Sequence, residues 1–130
     1  MGTTHTALSR AATAALATLA MVHLVAALSH DVVPAYARVI LLGTGCATAA
    51  AAVLLRHDTF GSRLLVWVVT VLSAAGAVLV GTVGLPGSVS TGLSGTEVLV
   101  VALAFATGAF VLLDMRLRQA SVGDRPPYAL

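Results

Sequence analysis

The sequence predicts an all-α integral membrane protein: a four-helix bundle of transmembrane helices with both termini in the cytoplasm. Three observations carry that expectation. The 130 residues are 58% hydrophobic and only 9% charged, with a mean hydropathy of +1.00, too little charge to cover the surface of a soluble domain. Four apolar runs are each long enough to cross a hydrocarbon core of about 30 Å, which takes roughly 20 helical residues. The arginines are distributed unevenly between the segments that join those runs.

The first span is expected at about 11–28. Arg10, the apolar run and "AALS" resemble a signal peptide, but the run is long for that role, and the span is read as retained. "SHDVVPAYAR", with Pro34 as breaker, leads to a second span at about 36–55. "RHDTFGSR", with Gly61 as turn residue, leads to a third at about 64–85. The Gly- and Ser-rich "LPGSVSTGLSGTE" leads to a fourth at about 97–113. Together residues 1–116 form one transmembrane domain, and 117–130 a short, loosely ordered cytoplasmic tail. The runs lack the alternation of barrel strands, and backbone groups in lipid must be satisfied internally, so the spans are helices. Such short connections make neighbouring helices antiparallel.

Orientation follows from the arginines. Arg10, Arg56, Arg63, Arg116, Arg118 and Arg125 fall on one side of the four spans and Arg38 alone on the other. The expected location is therefore the cytoplasmic membrane, with both termini inside. Lys and Asn are absent and Ile40 is the only isoleucine, a bias that fits a high-GC coding genome and a bacterial source. Tyr36 and Trp67 suit interfacial anchoring.

Lipid tails are as apolar as leucine, so small residues must bring the helices together. Helix-packing pairs at i and i+4 are Gly45 and Ala49, Ala77 and Gly81, and Ala104 and Gly108. Thr44, Thr48, Ser73 and Thr107 are expected to add hydrogen bonds between helices. Cys46, the single cysteine, rules out an internal disulfide or a CxxC site and reads as a small filler.

His23 is the one ionisable side chain clearly inside a span, which makes it a functional candidate, although a neutral histidine donating one hydrogen bond is the plainer expectation. His30, Asp31 and Glu97 are expected together at the outer boundary, near Arg38. One histidine and two acids are an incomplete set for tetrahedral zinc, and a solvated rim with an Arg–carboxylate pair is worth little. His23 and His30 lie on one helix about 10 Å apart along its axis, so they cannot clamp one haem iron. Asp114 is read as reaching the inner boundary among arginines that meet anionic headgroups, and no acid is expected to be buried in a span.

No P-loop, HExxH or GxSxG motif is present, and the scattered arginines lack the interleaved aromatics of a nucleic-acid surface. The expectation is a non-catalytic accessory or interaction protein with no cofactor and no bound metal. Its partners would be the lipid bilayer and a membrane-protein complex or its own copies, docked through small-residue helix faces. The alternatives are a small channel or holin-like oligomer, and a metal- or haem-binding redox protein.

Overall fold

A computed structural model describes residues 6–29, 34–57, 59–85 and 92–123. Four helices account for nearly all of them: α1 (Ala7–Leu28), α2 (Ala35–Leu54), α3 (Phe60–Val83) and α4 (Gly95–Gly123). A 3-10 turn, Leu55–His57, prolongs α2. All four are long and apolar enough to cross a membrane.

The helix starts are set by polar caps. Thr6 accepts a hydrogen bond from the Ser9 amide at 3.1 Å, so α1 begins four residues before the expected span. Thr59 and Ser62 form a reciprocal capping box at 3.1 and 3.2 Å, which moves the start of α3 upstream to Phe60. "SGTE" supplies one half of that device to α4, where Glu97 accepts from the Ser94 amide at 2.7 Å. At its far end α4 continues past 113 to Gly123 and takes in the first half of the expected tail. Its sequence there holds no breaker before Gly123, and Asp114 and Arg118 pair across one turn.

The helices form a ring. α1 packs on α2 and α4, α3 packs on α4, and the α2–α3 seam is the least extensive of the four. Thr6, capping α1, meets Asp114 late in α4, so these two helices run antiparallel. The bundle thus has a proximal end, where α1 begins and α4 finishes, and a distal end opposite it.

The main apolar core lies toward the proximal end. Ala12 and Leu16 of α1 meet Ala51, Ala52 and Leu55, Val66 and Val69 of α3, and Val111 of α4. Small residues permit the close approach. A methyl group added at Gly45 would stand 3.0 Å from the Leu24 side chain, and one at Gly108 would stand 3.4 Å from the Trp67 ring. Trp67 is thus a packing residue. Ala104 is buried, while Ala49 and Ala77 are half-buried.

Gly81 has the tightest surroundings. A Cβ there would lie 2.5 Å from Leu93 Cδ2 and 3.3 Å from the Leu93 backbone. Alanine is accommodated by turning the Leu93 terminus, but leucine collides with the backbone as well. Gly81→Leu is expected to destabilise the fold by about 1–3 kcal/mol, the usual range for overpacking. The check is the SDS fraction at which helicity is lost, compared with Gly81→Ala.

The hydroxyls behave differently from the expectation. Thr44, Thr48 and Thr107 donate to the carbonyls of Ile40, Thr44 and Leu103 on their own helices, at 2.9, 2.7 and 2.8 Å. A hydroxyl four residues beyond a carbonyl reaches it without any help from a neighbouring helix. Ser73 Oγ is buried without a hydrogen bond. Cys46 is exposed on the outside of α2 and is not a core filler.

Candidate functional site

The polar groups gather in two places. The first is the proximal end, where Asp114 is only 7% exposed. Its burial overturns the expectation of a carboxylate reaching outward to the boundary. Thr6 Oγ1 donates to one carboxylate oxygen, and the other lies 2.8 Å from Arg118 Nε. The Thr6 hydroxyl therefore does two things: it caps α1 through its lone pair and binds α4 through its proton. A cavity of about 10 Å³ opens beside the carboxylate, lined by Ser9, Arg63 and Met115 among others. Its volume matches about one water molecule. A carboxylate with a guanidinium and a hydroxyl on its two oxygens is a neutralised structural clasp, and it joins the first helix to the last.

The second place is the distal half of α1. His23 is 5% exposed, and its Nδ1 lies 2.8 Å from the Leu19 carbonyl. A carbonyl only accepts, so Nδ1 carries the proton. Nε2 has no hydrogen-bond partner among the described residues. The ring sits on the α1–α2 seam, with its Cβ beside Gly45. That arrangement is a histidine held by its own helix.

The expected outer rim lies largely outside the described residues. His30 and Asp31 lie outside them. Glu97 is described, and its carboxylate accepts from both the amide and the hydroxyl of Ser94. Those bonds occupy it as the cap of α4. The sequence carries that signal in the Ser-x-x-Glu spacing of "SGTE". Among the described residues no three His, Cys, Asp or Glu side chains come within reach of one metal ion.

Asp114 is the residue that sequence reasoning misses. Its signal is nonetheless present: Asp and Arg four apart, at the end of an apolar helix, with a threonine preceding the first helix.

A shallower groove of about 430 Å³ runs along the outside of α1, lined by Ser9, Arg10, Thr13, Ala14, Ala17 and Arg56.

No protein-family model, no curated protein and no solved structure is similar to this chain.

Proposed function

We propose that the chain is a small non-catalytic subunit of the cytoplasmic membrane. Its arginine-rich proximal end faces the cytoplasm, and it works by lateral docking onto a membrane protein complex or a further copy of itself. One observation carries this reading. The bundle spends Gly45, Gly81 and Gly108 on contacts within the chain, yet other glycines face outward with nothing packed on them. Gly43 of α2 and Gly76 of α3 have no atom within 4 Å of where a Cβ would sit. Lipid needs no glycine, and glycine costs a helix interior about 1 kcal/mol relative to alanine. A second helix does need it, because backbones approach only across small residues. Cys46 and Ala50 are exposed beside Gly43 on α2, continuing a smooth strip. Gly43 lies eight residues into α2 and Gly76 seven before the end of α3, a similar depth on the two helices that share the least extensive seam.

The test is affinity purification from host membranes in mild detergent, combined with oxidative cross-linking through Cys46, the only thiol. The expected result is a stoichiometric membrane partner, or a Cys46–Cys46 linked dimer. Gly43→Leu should abolish either without lowering the thermal midpoint, since nothing inside the chain touches that position and leucine is the better helix former. A monomer with nothing bound and no cross-link would sink the docking reading.

A further inference from the structure

The proximal groove on α1 combines two features that nothing in the bundle explains. Arg10 of α1 and Arg56 of the 3-10 turn both line it, and both are exposed. Neither guanidinium forms an ion pair or donates a hydrogen bond among the described residues. The other arginines here differ. Arg118 is bound to Asp114, Arg63 has a partner of its own, and Arg116 does not line the groove. Two positive charges from two separate elements, unpaired among the described residues, thus line one concavity. Beside them the groove is lined by Ala14 and Ala17, exposed small residues about one turn apart on α1. The Thr13 hydroxyl already donates to the Ser9 carbonyl at 2.9 Å, so the wall beneath the arginines presents few polar demands. At about 430 Å³ the groove falls within the usual range of small-molecule sites, about 300–1,000 Å³.

We propose that this groove binds one anionic phospholipid, its phosphate held by Arg10 and Arg56 and one acyl chain lying over Ala14 and Ala17. Guanidinium groups match phosphate oxygens in charge and in fork geometry. The apolar floor matches the hydrocarbon chain that a lipid carries behind its phosphate and that a free anion lacks. The inference rests on the four helices spanning a bilayer with their proximal end at a headgroup layer. It does not require a protein partner.

The test is native mass spectrometry of the purified full chain in detergent, titrated with phosphatidylglycerol and, separately, with phosphatidylcholine. One phosphatidylglycerol per chain should be retained in preference to phosphatidylcholine. A basic residue near an anionic surface contributes roughly a five-fold gain. Arg10→Gln combined with Arg56→Gln should therefore weaken retention about thirty-fold. Arg116→Gln, at the same end but outside the groove, should change it less than about two-fold if the charge acts locally. Ala14→Leu with Ala17→Leu leaves both arginines in place but fills the floor, and should also abolish retention. Equal losses from Arg116→Gln and the groove arginines would overturn the proposal in favour of diffuse surface charge. Retention unaffected by the alanine substitutions would overturn the acyl-chain seat. Retention of no phosphatidylglycerol, or of both lipids equally, would overturn the lipid assignment altogether. Failure of the docking reading leaves all these outcomes readable, because the purified chain alone is titrated.

Discussion

Asp114→Ala is expected to destabilise the bundle by about 2–4 kcal/mol. The carboxylate is 7% exposed and serves Thr6 and Arg118 together. Hydrogen bonds to charged groups contribute about 1.5–3 kcal/mol each, and removing one member of a fully buried ion pair costs about 3–5 kcal/mol. Arg118 retains 33% exposure of its side chain and can turn toward solvent, so the lower part of that range applies. The loss should be localised as well. α1 and α4 part at their proximal ends, so amide exchange should rise first around Ser9 and Val111 and only later at Val100. Asp114→Asn tests the division of labour. It keeps an oxygen for Thr6 and loses the charge for Arg118, and should fall between wild type and alanine. If alanine and wild type unfold at the same SDS fraction, Asp114 is a surface residue in practice and the clasp does not exist.

Leu16→Ala is expected to cost about 2–3 kcal/mol. Leu16 is fully buried, in contact with a core drawn from all four helices. In soluble cores the same change costs about 2–5 kcal/mol through lost transfer energy plus a cavity. With the bundle in a bilayer, as proposed, the transfer component is small, because a separated helix still places its leucine among apolar tails. What remains is lost dispersion contact and the cavity, which puts the value near the bottom of the range. The neighbours are Ala12, Ala51, Val66 and Val111, short or branched side chains that cannot fold into the space. Leu16→Met should be nearly neutral by the same measurement.

The four apolar helices are legible in the sequence because length and hydropathy mark them, and a sequence displays both directly. Their ends are less so. Thr6, Thr59 and Ser94 lie outside the apolar runs, and hydropathy alone does not weigh a cap. The extension of α4 to Gly123 is hidden for the same reason, since "MRLRQAS" is polar yet still helical. Small-residue spacing marks Gly45, Gly81 and Gly108 without naming their neighbours, because Leu24, Leu93 and Trp67 are set by depth and rotation. Periodicity places residues on faces, but it does not say which face a partner takes. Hence Cys46 reads as core filler and is exposed, while Asp114 reads as reaching outward and is buried. Thr44, Thr48 and Thr107 show a further limit. A hydroxyl in a helix has a carbonyl within reach whatever its neighbours are, so composition cannot reveal that it will stay at home.

The contact between Thr6 and Asp114 spans 108 residues, nearly the whole chain, and this fixes the order of assembly. Domains emerge from the ribosome N-terminus first, at about 5–20 residues per second, so α1 waits roughly five to twenty seconds for the helix that completes it. During that interval Thr6 has no carboxylate to hold, and one flank of α1 lacks the helix that covers it. A prematurely ended chain would stay in that state permanently. The ring of four helices therefore closes only once α4 is present, and α1 is its earliest and longest-waiting member.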